Sequence, residues 1–302
     1  MSFKFFMEKF RELEAEDFRI LLAVEKGMKT YGYVPTNKIV GYSGLPKEEA
    51  TYRISRVHKL RLVRRITVPY EGYSLNYMGY DFLALNFFVR SGFLSAVGNC
   101  LGLGKEADVY EALTPKNEEV ALKFHRLGRI SFRQTAKFRD YTKQKTFWIF
   151  RSKAAAEKEY EALKRLYSCE VSVPKPVAQN RHAVLMGKIL GVQLNELKSI
   201  ENPEKVFLNI LKNVQKAYVK AKIIHTDLSE YNVLVTEEEE VQIIDWPQYV
   251  TLNHPQAEIL LRRDIENLAK YFWRRFKLKV SVENSLSLIK AGGKIRKAQI
   301  FL

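Results

Sequence analysis

Residues 223–245, IIHTDLSEYNVLVTEEEEVQIID, constrain this chain more than any other stretch: a β-branched run stands on either side of an acidic turn, with four polar residues in fixed order. His225, Asp227, Asn232 and Asp245 have the spacing that a phosphoryl-transfer site needs. Such a site asks little covalent chemistry of the protein, and is mostly one carboxylate near the nucleophile plus two metal ligands. In the kinase frame H-R-D-L-x-x-x-N, His225-Thr226-Asp227-Leu228 and Asn232 match every position but the arginine. Asp227 is the expected base or orienting group at the acceptor oxygen, and Asn232 is expected to offer its amide oxygen to magnesium. Asp245 lies 13 residues beyond Asn232, at the end of Val241-Gln242-Ile243-Ile244, where a magnesium-binding aspartate belongs. Singly these residues are unremarkable, since Asn near Asp commonly forms a turn and Asp after a strand commonly caps a helix. In register they specify the chemistry. His225 is expected to hold the loop by hydrogen bonds and not to titrate in the reaction.

Upstream, residues 101–110 (LGLGKEADVY) invite comparison with a P-loop through Gly104-Lys105. Asn99 stands where the first glycine of that motif belongs, and Glu106 where Ser or Thr would bind magnesium. The kinase glycine loop fits better, with Gly102, Gly104 and Val109 on the first, second and final positions of G-x-G-x-x-G-x-V and Ala107 in place of the third glycine. Lys123 follows 14 residues after Val109 in Val120-Ala121-Leu122-Lys123. A lysine inside an apolar strand is costly to bury unless an anion meets it, and nucleotide phosphates are such anions. A helix carboxylate should hold that lysine. Residues 153–167 are strongly helical and carry Glu157, Glu159 and Glu161, of which Glu159, four residues before the inward Leu163, is the expected one. Residues 184–189 (VLMGKI) read as the strand entering a hinge, with Met186 beside the adenine and backbone groups near Ile189 as its partners.

Residues 125–152 read as a long connection rich in Arg126, Arg129, Arg133, Lys137, Arg139, Lys143, Lys145 and Arg151, against the single acid Asp140. Phe132, Phe138, Tyr141, Phe147 and Trp148 stand between them, a mixture that suits an anionic partner, with rings against bases. A solvated mobile loop is the other reading. The whole chain of 302 residues carries 50 Lys and Arg against 34 Asp and Glu, a net charge of +16 that predicts attraction to a polyanion, nucleic acid first. A merely basic surface is the alternative.

The first ninety residues predict a winged helix. Apolar spacing from Asp17 gives a helix ending near Gly27, 35–40 a short second helix, and 47–60 a third with Ile54, Val57 and Leu60 inward. Residues 62–68, the turn Pro69-Tyr70-Glu71-Gly72 and residues 73–76 form the expected wing. Arg53, Arg56, Lys59, Arg61, Arg64 and Arg65 would face nucleic acid, or else form a solvated face of a protein-docking module. Residues 80–98 are the most apolar stretch, but Asp81 and Arg90 interrupt it, so a buried inter-domain helix is expected and no membrane span. Cys100 and Cys169 are too few and too isolated for a disulfide framework or zinc spacing, and with no signal-peptide pattern they point to a reducing, cytoplasmic setting.

DLSEYN at 227–232 and IDWPQ at 244–248 resemble the catalytic and metal-binding motifs of the RIO atypical protein kinases, and GKEADVY at 104–110 resembles their phosphate loop. An amino-terminal winged helix is similar to that of the second RIO subfamily. The resemblance covers essentially the whole chain. It implies an α+β fold: a winged-helix domain with a linker helix over residues 1–90, then a truncated two-lobe kinase-like domain over 91–302, with an N-lobe to about 185 and a C-lobe from about 186. It implies ATP with Mg2+, or Mn2+, held by Lys123, Gly104, Lys105, Glu106, His125, Glu159, Met186 and Ile189, with Asn232 and Asp245 on the metal and Asp227 and Asp245 catalytic. It further implies serine/threonine kinase or ATPase activity in maturation of the small ribosomal subunit, bound through its RNA, and an Asp245 able to accept the γ-phosphate. Thr226 replaces the family's frequent glycine, and Gly187-Lys188 its acidic hinge residue. Only 57 residues follow Asp245, too few for an ordinary activation segment and peptide-binding helices. Ser131, Thr135 and Thr142 are available for autophosphorylation. Small-molecule phosphotransferases of the aminoglycoside and choline type share H-x-D and I-I-D-W, and a nucleotide-gated RNA-binding scaffold is a third reading.

Overall fold

Phe18, Leu21 and Val24 recur at helical spacing on one buried stripe, and around them forms helix α2 (Ala15–Gly27), preceded by α1 (Phe3–Arg11). Glu14 and Asp17 close a capping box at the start of α2. The computed structural model in which these elements are seen describes residues 3–127, 141–293, 295, 296 and 299–301, with backbone alone at 3–5 and 141–147. The chain divides into one unit of Met1–Glu157 with Ala178–Leu185 and another of Lys158–Val177 with Met186–Leu302.

In the first unit, a short strand β1 (Val34–Pro35) leads into α3 (Thr36–Ser43), which stops at Gly44 in the left-handed region. Helix α4 (Lys47–Lys59) packs Ala50, Ile54 and Val57 inward, while Leu60 caps its end half-buried. Strands β2 (Val63–Ile66) and β3 (Gly72–Leu75) form the wing in register Val63 with Leu75 through Ile66 with Gly72, and β1 joins as the third strand through β3. That third strand was not expected, because Pro35 ends it after two residues. Helix α5 (Tyr77–Arg90) takes up the first part of the apolar stretch read as a buried helix, and the end of that stretch is strand instead, from Ala96. Asn76 caps the helix by accepting from Gly79 N–H at 3.1 Å, and Phe82, Leu83, Leu85 and Phe88 are almost wholly buried. Phe82 takes edge contacts from Phe6 and Phe10 at 4.7 and 5.4 Å between centroids.

A five-stranded sheet follows in the order β4-β5-β6-β8-β7, from β4 (Ala96–Leu103), β5 (Ala107–Leu113), β6 (Glu119–His125), β7 (Pro176–Asn180) and β8 (Ala183–Gly187). Between β6 and β7 runs the 28-residue helix α6 (Tyr141–Ser168), so the helix expected from residue 153 begins at 141. The reason is packing. Trp148 and Ile149 are 6% and 3% exposed, and the Trp148 ring lies 3.5 Å from that of Tyr77 between centroids, so an aromatic read as a base-stacking ring is a core residue. Arg129, Arg133, Lys137 and Arg139, with Phe132, Phe138, Ser131, Thr135 and Asp140, lie outside the described residues.

The second unit is built on α7 (Pro203–Val219), α8 (Ala257–Phe276) and α9 (Val282–Ala291). Phe207 of α7 meets Phe272 of α8 edge-on at 5.1 Å, at the centre of a core with Ile210, Leu211, Leu261, Ile265 and Leu268. Over it lie a sheet of β12 (Val241–Ile243), β11 (Val233–Val235) and β9 (Val192–Gln193), and a pair of β10 (Ile223–Ile224) and β13 (Val250–Thr251). The hairpin read around the acidic turn is present, with Val233 opposite Ile243 and Val235 opposite Val241. Among the described residues, no helix is long and apolar enough to cross a membrane, and both cysteines are free.

Candidate active site

In the first unit, the β4–β5 hairpin closes where Gly104 N–H donates to the Ala107 carbonyl at 2.8 Å, which leaves Lys105 and Glu106 exposed at the tip. The next strand brings Lys123 opposite Val109 and His125 opposite Ala107, so both lie beside the glycine hairpin. Lys123 is 7% exposed, a cation taken into a strand as the sequence implied, and His125 is buried with its N–H on the His182 carbonyl at 2.9 Å. Arg126 belongs to another arrangement than the one expected. Its guanidinium is buried and ion-paired to Asp81 and Asp108, and so is no part of a surface for nucleic acid.

In the second unit, the loop after β10 carries the catalytic motif. The buried His225 accepts the Asp227 N–H at Nδ1 (3.3 Å), which fixes its proton on Nε2 for donation to the Ile244 carbonyl at 2.9 Å. Burial pushes its pKa below the ordinary value, in keeping with a neutral ring that holds the loop. Asn232 Nδ2 donates to the Asp227 carbonyl at 2.8 Å, and the Asn232 carbonyl accepts from Ile244 N–H at 3.0 Å. Asp227, Asn232 and the residue before Asp245 are therefore stitched into one ring of hydrogen bonds. With its nitrogen committed, the amide of Asn232 has Oδ1 as the atom to offer a cation. Asp227 is exposed and Asp245 half-buried. Trp246 is 1% exposed and donates from Nε1 to the Ile243 carbonyl at 3.1 Å, under the His225 ring at 4.5 Å between centroids.

Two backbone conformations here are unusual. Asp245 has φ +68° and Thr226 φ +75°, the left-handed region, which Asp tolerates and a β-branched residue rarely enters. Thr226 is held there by three ties: its N–H donates to Asp264 Oδ2 at 2.8 Å, its hydroxyl to the Gln248 carbonyl at 3.0 Å, and Arg263 donates to the Thr226 carbonyl; Leu228 N–H, two residues on, donates to Asp264 Oδ1 at 3.1 Å. Asp264, on α8, is 1% exposed, and burial pushes its carboxyl up to about 6 against the two N–H bonds that favour its charge. The sequence motifs gave no hint of it. The one signal was an acid on the apolar stripe between Leu261 and Leu268.

Glu159 is 1% exposed on α6, whereas Glu157 and Glu161 face solvent, so the acid singled out among the three is the inward one. Its charge acts on His225. Met186, at the end of β8, is 7% exposed, and Ile189 lies half-buried just beyond, after Gly187 N–H has donated to the Lys175 carbonyl at 2.8 Å. No three His, Cys, Asp or Glu side chains gather as a metal cage among the described residues. Magnesium asks for less: one or two carboxylates, with waters and phosphate oxygens completing its shell. Asp245 with the Asn232 amide oxygen fits that need.

Residues 108–285 match the RIO domain family, and residues 10–91 the Rio2 N-terminal family. The chain is 41% identical over 258 residues to the RIO-type serine/threonine-protein kinase Rio2 of Methanocaldococcus jannaschii, covering 83% of this chain and 93% of that protein. It is 38% identical over 268 residues to the serine/threonine-protein kinase rio2 of Dictyostelium discoideum, covering 88% of this chain but only 51% of that one. Among solved structures, the Rio2 kinase of Chaetomium thermophilum, in complex with ADP/Mg2+ and phosphoaspartate, superposes with a TM-score of 0.81 at 29% identity, over 97% of this chain and 95% of that one.

Proposed function

The chain belongs to the Rio2 family of RIO-domain kinases, and on that footing we propose that it is an ATP- and magnesium-dependent phosphotransferase and ATPase that acts on the maturing small ribosomal subunit. The observation that carries the catalytic part is the ring of hydrogen bonds through His225, Asp227, Asn232 and Ile244, which ties Asp227, the Asn232 amide and the residue before Asp245 into one loop cluster. In this reading Lys123 meets the α- and β-phosphates, held by Glu159, with the hairpin of Gly104, Lys105 and Glu106 over the phosphates and His125 beside them. Met186 and the backbone near Ile189 take the adenine. Asn232 and Asp245 hold magnesium, whose contribution is to neutralise charge on the phosphate oxygens. Asp227 orients the acceptor.

Asp245 has a second role in the proposal. Its carboxylate oxygen attacks the γ-phosphorus, the bond from that phosphorus to the β-bridging oxygen breaks, and ADP leaves with that electron pair. Water then hydrolyses the acyl phosphate, releasing phosphate and restoring the carboxylate. Turnover would act as a timer on the bound state. The net +16 supports an RNA partner. On the winged helix, Lys59, Arg61 and Arg64 carry no ion pair among the described residues and suit that contact, whereas Arg53, Arg56 and Arg65 are paired with Glu14, Asp17, Glu49 and Glu71.

ATPase assays on wild type and Asp245→Ala, with and without small-subunit precursor RNA, test the reading. Magnesium-dependent turnover abolished in the variant, and ATP and ADP states that differ in affinity for the RNA, are expected. Absence of turnover under every condition would leave a nucleotide-gated scaffold instead.

A further inference from the structure

The glycine hairpin is fastened to a buried ion network whose other end lies in helix α5. Arg126 stands one residue past β6 and donates its backbone N–H to the Glu106 carbonyl at 2.6 Å, so it holds the hairpin tip directly. Its side chain is engaged on every edge. Nε donates to Asp108 Oδ2 at 2.8 Å, two residues beyond Glu106, and Nη1 and Nη2 donate to Asp81 Oδ1 and Oδ2 at 2.6 and 2.9 Å. The rings of Tyr77 and Phe124 lie 5.3 and 5.1 Å from the guanidinium carbon. His182 completes the set at 2.7 Å from Asp81 Oδ1. Arg126, Asp81, Asp108 and His182 are 5%, 4%, 3% and 0% exposed. Burial pushes the Asp81 carboxyl up, and Arg126 and His182 outweigh that and hold it below its ordinary value.

An ion set this deeply buried is a poor source of net stability, because desolvation offsets most of the attraction and apolar side chains of similar volume often do as well. What a bidentate arginine fork supplies is direction: two parallel N–H···O bonds fix the angle as well as the distance between the joined segments. Here the joined segments are the N-terminal domain's last helix and the hairpin whose tip residues, Lys105 and Glu106, are exposed. Neither Asp81 nor Arg126 belongs to the residues assigned above to nucleotide, metal or acceptor.

We propose that Arg126 and Asp81 are positioning residues for phosphate binding: they hold the 104–106 hairpin in register with α5, so that the state of the winged-helix domain and affinity for the nucleotide's phosphates are coupled. The inference rests on the reading of that hairpin as the phosphate loop. By reciprocity, an RNA that shifts α5 on binding changes affinity for ATP, and ATP changes affinity for that RNA by the same factor.

The test compares Mg·ATP and adenosine binding by the full chain, Asp81→Asn, Arg126→Lys and Lys123→Ala, with melting curves recorded alongside. Asp81→Asn and Arg126→Lys should weaken Mg·ATP about tenfold and raise its KM more than they lower kcat, while adenosine binding stays within about twofold, since the adenine side is untouched. The triple variant Asp81→Leu/Asp108→Leu/Arg126→Met, which replaces the guanidinium and both of its carboxylate partners with apolar groups, should keep the fold and show the same loss. Folded variants that bind Mg·ATP like wild type, or that lose ATP and adenosine in parallel, overturn the inference. Loss of Mg·ATP binding in Lys123→Ala with none in Asp81→Asn defeats this coupling alone. A wild type that does not bind Mg·ATP, or binds it regardless of Lys123→Ala, defeats the phosphate-loop reading beneath it.

Discussion

Asp264 holds two N–H groups of the catalytic loop, and its substitution is the sharpest local test of how that loop is kept in place. Asn at this position keeps one acceptor and turns a donor toward the other N–H, a mismatch worth on the order of 1–3 kcal/mol. If Asp227 depends on that backbone, kcat of Asp264→Asn at pH 7.5 should fall about ten- to a hundredfold with KM for ATP little changed; an unchanged kcat would free the loop from α8. Titration offers a second test. The folded chain holds the Asp264 proton up to about 6, above the ordinary carboxyl value, so this group stabilises the fold at low pH and loses that contribution as pH rises through 6. His182 and His225 act in the opposite sense: burial lowers both, so their contribution is complete above about pH 6.5 and is lost as pH falls toward their folded values. Asp264→Asn removes the compensating group. Its melting temperature should fall more steeply than that of wild type between pH 6.5 and 5, and parallel curves would contradict the assignment. Asp264 was not legible in the sequence because its role lies in contacts 36 and 38 residues away in the chain. The hydrogen-bonded loop of His225, Asp227 and Asn232 that leads to Asp245 was legible because its spacing is itself the signal, and the roles of these residues in the reaction are part of the proposal.

The elements show where charge reads well from sequence and where it misleads. Helix α4 presents Arg53 and Arg56 in the pattern of a nucleic-acid face, yet both close on Glu14 and on Asp17, which is wholly buried. Composition counts cations but not their partners, and these acids come from the start of α2, 36 to 42 residues earlier. Arg53→Ala should destabilise the chain by roughly 2–4 kcal/mol by leaving Asp17 undercompensated, whereas Lys59→Ala/Arg64→Ala should leave stability within about 0.5 kcal/mol. Chemical denaturation separates the two; equal effects would refute the distinction between paired and free cations. Helix α6 was legible only from residue 153 because its first turns are basic and aromatic, and helical periodicity is masked when the buried residues are Trp148 and Ile149 among cations. Trp148→Ala should cost about 3–5 kcal/mol, as loss of a core aromatic does; a near-neutral result would return that ring to the surface. The wing and the 233–243 hairpin were plain from alternation and turn residues, whereas the apolar stretch that marked α5 ran on past its end at Arg90 into a strand, because apolar composition alone does not separate helix from strand.

Taken whole, the chain couples a strongly basic composition to a site for a highly charged nucleotide. Affinity for RNA should fall linearly with the logarithm of salt concentration, and Lys59→Ala/Arg64→Ala should reduce that slope by about 1.4–1.8 if both cations meet phosphates. An unchanged slope would move the contact elsewhere. Asp245 is the residue proposed to meet the γ-phosphate. Acid quenching of the enzyme after brief incubation with γ-labelled ATP and magnesium, followed by peptide mapping, should recover label on Asp245 that hydroxylamine removes, with none in Asp245→Ala. Label confined to hydroxyl side chains, or ATP turnover undiminished in Asp245→Ala, would contradict it.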